Sequence, residues 1–395
     1  MVRYHIDEID EDMVLGESIF LPSGELLLSA GQQIKDRYRR RLREMGFLNV
    51  MVHVEGTEDV VPRTTVSDET RREMAGSLTR RTKDLSSHFA KLRRKGVDSV
   101  ERILRNNKKE LGAFAMNSSV TAALEKFIEE ILQQNDVVLN LSAMHRLNEE
   151  LFVHTMNVAV TALCIGRKYH LSYDELRQLG IGALNYDLGL VTIPQKVYEK
   201  EDPLSEEDNK ILKQHPVHGY YLLSGNTSIP PTSAAAALQH HEHQNGTGYP
   251  RGIRGENRPP LKDFSRKNMI HRFAEIVAVA DQFDMMTAGR RHYSKKFGAQ
   301  AAIERLIRMG GPILNSHIVK TLVDIVPVYP VGARIRVVDA PSAQLVGYTG
   351  VVARDNPGRI DRPLIILYET RGGRKSKPVL IDMAKHESVK IELVA

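Results

Sequence analysis

The sequence has one cysteine, Cys164, in 395 residues. No intramolecular disulfide can form, and a reducing, cytoplasmic setting is the expectation. No apolar run approaches the ~18 residues that a membrane-spanning helix needs. The first residues, Met1 to Glu8, are acidic and lack the apolar centre of a secretory signal. Nor is charge of one sign concentrated, since 55 basic and 49 acidic residues leave a net +6. The densest basic stretch, Arg71 to Lys109, interleaves Arg80-Arg81, Arg93-Arg94-Lys95 and Lys108-Lys109 with acids and apolar residues. It reads as a solvated helical face, and DNA binding is not expected. No internal repeat is evident. With 42% hydrophobic and 26% charged residues, the composition is that of a folded chain with more than one domain.

Four segments follow from the pattern. Residues 1–66 form a small α+β module: Ser18-Ile19-Phe20 and Leu26-Leu27-Leu28 flank a Pro22-Ser23-Gly24 turn, a helix carries Tyr38, Leu42 and Met45, and Val50 to Val54 is a last strand. Residues 67–135 read as a helical connector, broken near Gly96 and Gly112. Residues 136–326 are dominated by helices between Gly- and Pro-rich loops. Residues 327–395 form a small β-rich module with strands near 334–338, 350–352 and 364–368. The fold class is therefore mainly α, with β-containing ends.

The chemistry concentrates in the third segment. His240-His241-Glu242-His243-Gln244-Asn245-Gly246-Thr247-Gly248-Tyr249-Pro250 follows the apolar stretch Ala234 to Leu238, so its histidines sit at a helix end. Adjacent helical residues point about 100° apart, which lets neighbouring imidazoles serve one chelate or two metals. Glu150 and His154, four apart, share a helix face. Asp187 ends an apolar segment, His215 precedes Pro216, and Asp281 follows Ile276 to Ala280 with Asp284 a turn later. Together they offer imidazole and carboxylate donors suited to Fe, Mn or Zn and no thiolate set. Two such ions sharing a carboxylate can activate water and stabilise an in-line phosphoryl displacement.

The order of these segments resembles the HD-GYP proteins, a branch of the HD metal-dependent phosphohydrolases known as cyclic di-GMP phosphodiesterases. The signature matches at His240, His241, Glu242, Gly246, Gly248, Tyr249 and Pro250. The resemblance extends over Glu150 with His154, Lys200 to Glu207, His215-Pro216 with Gly219, Ala280-Asp281 with Asp284 and Arg290, and Tyr329-Pro330-Val331-Gly332. The first 55 residues also look like a module that often precedes such a domain.

The resemblance implies an all-α domain hydrolysing cyclic di-GMP with two transition-metal ions, iron or manganese. One ion would draw on Asp187, His215, His240 and His241; the second on His154, the shared Asp187 and Asp281. Glu150 corresponds to an acid that helps some members hold a third. Asp187 and Arg290 are the catalytic assignments, Arg290 also contacting substrate phosphate. Tyr249 belongs to the loop implicated in substrate contact and in meeting diguanylate cyclase (GGDEF) domains. A homodimer is the expected assembly.

Four positions depart from the family pattern. The His of the His-Asp pair is Tyr186, the Lys three residues after Asp187 is Leu190, an Arg before the Ile-Val-Ala-Val segment is Glu275, and a basic residue after Arg290 is Tyr293. A phenol, with reference pKa near 10, ligates well only when deprotonated. Tyr186 is thus either a ligand that ferric iron would enforce or a packing residue over a one-metal or empty site. The rival reading is a catalytically degenerate module acting as a cyclic di-GMP receptor or cyclase-binding adaptor. His145, His170, His271 and His317 carry no motif support, His218 and His243 stand beside the ligand positions, Met285-Met286 reads as core, and Cys164 as inert.

Overall fold

The computed structural model describes residues 1–20, 26–45, 47, 49–61, 65–93, 99–134, 139, 150–198, 200, 203–261, 268–288, 297–356 and 358–394. They divide into two compact units, one containing 1–64, 138–150 and 326–395, the other 65–137 and 151–325. The fold is mainly α, with antiparallel sheets confined to the first unit. No described helix is long and apolar enough to cross a membrane.

In the first unit, the strands at the two ends of the chain share a core. Val2–His5 pairs with Asn49–His53, which also pairs with Val14–Leu15. Ile19–Phe20 pairs with Leu26–Leu28; the turn between them lies outside the described residues. A five-stranded meander follows residue 333, in the order Lys390–Leu393, Arg334–Asp339, Thr349–Arg354, Leu364–Glu369, Lys375–Asp382. Val351 and Tyr368 of that sheet pack into the cluster formed by Val2, Tyr4, Ile34, Leu42 and Val52. Arg334 donates to Glu8 Oε2 at 2.8 Å, and the Arg3 N–H to the Gly332 carbonyl at 2.8 Å.

The second unit is helical. Ser118–Gln133 starts where Asn117 Oδ1 accepts from the Val120 N–H at 2.9 Å. It buries Val120, Ala123, Leu124, Phe127, Ile128 and Ile131, the three-and-four spacing of one face. Tyr173–Ala183 opens with a capping box between Ser172 and Glu175. Arg272–Ala288 is buried almost all round, as its Ile276-Val277-Ala278-Val279-Ala280 run requires.

Asp68–Arg93 departs from the solvated face read in the sequence. Arg71, Met74, Leu78, Arg81, Leu85, Phe89 and Leu92 form one buried stripe, so two arginines occupy apolar-stripe positions. Each has to find partners inside the protein.

Candidate metal centre

Asp187 sits in the turn between Tyr173–Ala183 and the 3₁₀ segment Leu188–Thr192. His215 opens the helix His215–Ser224, and His240 caps Pro231–Gln239. These elements meet closely because Gly189 has no side chain: a Cβ there would lie 2.0 Å from the His215 carbonyl oxygen. Among the described residues, one group of three or more acids and imidazoles brings its ligand atoms within 4.8 Å of one another: Asp187, His215, His240 and His241.

The orientation of the rings is fixed from behind. His215 Nδ1 lies 2.7 Å from the Leu212 carbonyl, and His240 Nδ1 lies 2.9 Å from that of Ala237. Each Nδ1 therefore carries the proton, and each Nε2 lone pair faces inward. The two Nε2 atoms are 3.3 Å apart, and Asp187 Oδ1 is 3.2 Å from one and 3.6 Å from the other. Ligands about 2.1 Å from one cation, at octahedral to tetrahedral angles, sit roughly 3.0–3.4 Å apart. The donor set fits a transition-metal ion. Burial holds His215 below its usual pKa despite the nearby Asp187 carboxylate, which keeps it in the neutral, ligating form.

The signature loop frames one side of this cluster. The Tyr249 ring stacks on His241 at 4.6 Å, nearly parallel, and Lys213 Nζ lies 5.3 Å from the Tyr249 ring centroid. Gly248 is required here, since a Cβ would fall 2.4 Å from both the His241 oxygen and the His243 nitrogen. Glu242 shapes the loop, accepting from the backbone N–H groups of Arg251 at 2.7 Å and Ile253 at 3.0 Å. His218 stands behind His215, its Nδ1 2.7 Å from Thr192 Oγ1, and burial pushes its pKa down to about 4. His243 turns to Thr247 Oγ1 at 3.0 Å.

His154 and Asp281 form a separate buried group. His154 Nε2 lies 3.0 Å from Asp281 Oδ1, and Nδ1 lies 2.6 Å from Asp284 Oδ2. Tyr186 Oη reaches the same place, donating to Asp281 Oδ1 at 2.8 Å and standing 2.7 Å from His154 Nε2. Burial would lower the His154 pKa, yet its hydrogen bonds to Asp281 and Asp284 and their charges outweigh it and raise it to about 9.

Two assigned residues are outside what the structure describes. Arg290, with Tyr293 beyond it, lies outside the described residues, as does His145; the Glu150 backbone begins the helix Glu150–Lys168, but its side chain is not described. Leu190 stands where the family pattern has a cation, packed against Ile193 and Val197 with Tyr198, Ile211 and Leu212 around them. Glu275 is buried, accepting from Gln244 Nε2 at 2.6 Å and Asn315 Nδ2 at 3.1 Å, and burial raises its pKa to about 7.

The motif reading missed the supports. Arg81 donates to Asn185 Oδ1 at 2.7 Å and to the Ala115 carbonyl at 3.2 Å, gripping the turn that carries Tyr186 and Asp187. Arg71 donates to Asn157 Oδ1 at 3.2 Å, and Asn157 donates to Asp284 Oδ1 at 2.8 Å. The signal was the stripe spacing of the two arginines, and the placement of Asn157 one turn after His154.

Residues 126–315 match the HD domain family model. That stretch carries the signature from His240 to Pro250, and the match supports the resemblance to the HD-GYP branch. The chain is 26% identical over 220 residues to a cyclic di-GMP phosphodiesterase of Pseudomonas aeruginosa, covering 55% of this chain and 50% of the relative. It is 34% identical over 159 residues to the cyclic di-GMP phosphodiesterase response regulator RpfG of Xanthomonas campestris pv. campestris, covering 40% and 39%. A cyclic di-GMP phosphodiesterase of Thermotoga maritima matches at 30% over 197 residues, 50% of this chain and 49% of the relative. The chain thus spans half or less of the length of these relatives.

Proposed function

We propose that this HD-GYP domain hydrolyses a phosphodiester bond of a cyclic dinucleotide, cyclic di-GMP foremost, with iron or manganese at the Asp187 cluster. The observation that carries it is the inward pair of Nε2 atoms on His215 and His240, 3.3 Å apart beside Asp187. An ion bound there supplies an activated hydroxide at neutral pH and a Lewis acid for a phosphoryl oxygen.

The chain's own residues do the rest. Asp187 supplies the anionic ligand and fixes the ion against the imidazoles. Tyr249, partly exposed and stacked on His241, offers a flat phenol to a guanine or phosphate. Exposed Lys213, over the Tyr249 ring, brings a cation that the apolar Leu190 does not, and Arg290 is the second phosphate contact assigned. The same loop is the docking face for a diguanylate cyclase domain, and the chain acts as a homodimer in the cytoplasm. A receptor that binds cyclic di-GMP without turnover is the second reading, favoured by Leu190 and Tyr186 together.

The test is incubation of metal-loaded protein with cyclic di-GMP, and separately with 3′3′-cyclic GMP-AMP, followed by chromatography of products. Linear dinucleotide or mononucleotide should form, and His240→Ala should abolish it. Tight binding of cyclic di-GMP without product by the loaded wild type would establish the receptor instead.

A further inference from the structure

The family pattern places a second ion between His154 and Asp281. In this chain a phenol oxygen reaches the same two side chains. Tyr186 Oη lies 2.7 Å from His154 Nε2 and 2.8 Å from Asp281 Oδ1, which are themselves 3.0 Å apart. These are hydrogen-bond lengths closing a triangle of three polar atoms. A phenol reaches further from its Cα than an imidazole, by about 2 Å, the length of a metal–nitrogen bond. A histidine at 186 would therefore stop one bond short of the ion, whereas the tyrosine oxygen arrives where the ion would be.

We infer that the Tyr186 hydroxyl takes the place of the second metal ion, so that the protein binds one ion per chain, at the Asp187 cluster. The inference rests on the metal-binding reading of that cluster.

The surroundings hold the hydroxyl there. Tyr186 is 1% exposed, the largest fully buried side chain among the described residues. Its ring meets His240 edge-on at 4.9 Å, so the same residue that plugs one position buttresses a ligand of the other. His154 is held from behind by Asp284 at 2.6 Å, Asp284 by Asn157 at 2.8 Å, and Asn157 by Arg71 at 3.2 Å. The chain Arg71–Asn157–Asp284–His154–Tyr186 satisfies its buried polar groups with one another, with the Arg71 guanidinium offsetting carboxylate charge at its outer end. The Asp187 carboxylate, which would have to be shared between two ions, groups with His215, His240 and His241 and not with His154 and Asp281.

The experiment is elemental analysis of iron- and manganese-loaded protein after removal of loose metal, on wild type, Tyr186→His, Tyr186→Phe and His240→Ala. Anomalous scattering from a crystal places each ion. One ion per chain is expected in wild type and in Tyr186→Phe, none in His240→Ala, and two in Tyr186→His, whose shorter side chain vacates the position. Iron-loaded wild type should lack the visible absorption of a phenolate bound to ferric iron. Two ions in wild type, or that absorption, overturns the inference while leaving the Asp187 site standing. One ion in a folded Tyr186→His protein also overturns it, because Tyr186 is then not what excludes the second. A wild type that takes no ion overturns both the inference and the reading beneath it.

Discussion

His215 and His240 point their Nε2 lone pairs at each other across 3.3 Å, and backbone carbonyls behind each ring prevent either from turning away. Without a cation this arrangement sets lone pair against lone pair beside a carboxylate. Ion binding should therefore stabilise the fold as well as enable chemistry. At an ion concentration about 100 times the dissociation constant the gain is about 2.7 kcal/mol, read as a rise of several degrees in Tm. His240→Ala should lose that response. Equal Tm shifts in wild type and variant would place the ion elsewhere.

Arg81 is the buried support of the Asp187 turn. Burial pushes its pKa down to about 10, which leaves it charged at neutral pH. Arg81→Met removes the donors to Asn185 Oδ1 and the Ala115 carbonyl, leaving buried acceptors unmatched at a cost of about 2–4 kcal/mol. Loosening the turn should also weaken ion affinity by about 10-fold or more, the usual consequence of losing a group behind a ligand. Calorimetric ion titration of the folded variant checks this, and unchanged affinity would reduce Arg81 to a stabilising role.

Leu190 shows why the missing family cation cannot be restored by substitution alone. Its side chain is buried among Ile193, Val197 and Leu212. Leu190→Lys puts an ammonium into that cluster without a built partner and should cost on the order of 2–4 kcal/mol, with no gain in turnover. Leu190→Met, close in volume, should cost less than about 1.5 kcal/mol. Chemical denaturation of both variants separates the two expectations.

His218 gives a pH dependence with a definite sign. Burial, and next the charge of His215, hold its folded pKa down at about 4, below the 6.5 of an exposed imidazole. Between those values the unfolded chain binds the extra proton, so the stability present above pH 6.5 is lost as pH falls toward 4. The loss attributable to this residue is on the order of 2–3 kcal/mol. In metal-free protein, His218→Gln should flatten the fall in Tm between pH 7 and pH 4.5 relative to wild type. Parallel curves would contradict it.

Local chemistry made much of this architecture readable from the sequence. The Ile276 to Ala280 run marks an apolar segment leading into Asp281, and the spacing from His240 to Pro250 a specific loop. Asp187, His215, His240 and His241 could be grouped only through the resemblance to the HD-GYP proteins, since spacing alone marked them as separate metal-capable segments. What could not be read is what depends on reach across the fold. Tyr186 meets His154 across 32 positions of sequence and Asp281 across 95, and nothing in the spacing says that a phenol oxygen arrives there. Arg71 and Arg81 were hidden differently: their charge suggested solvent, while their register with Met74, Leu78 and Leu85 placed them inside. Periodicity outranked residue type.

The central claim is that hydrolysis depends on a single ion held by Asp187, His215, His240 and His241. Its most direct measurement is single-turnover hydrolysis of cyclic di-GMP by metal-free protein titrated with zero to three equivalents of manganese or ferrous iron. The rate amplitude should rise linearly, break at one equivalent per chain and stay flat beyond it. A break at two equivalents, or no hydrolysis at any loading, would contradict the account.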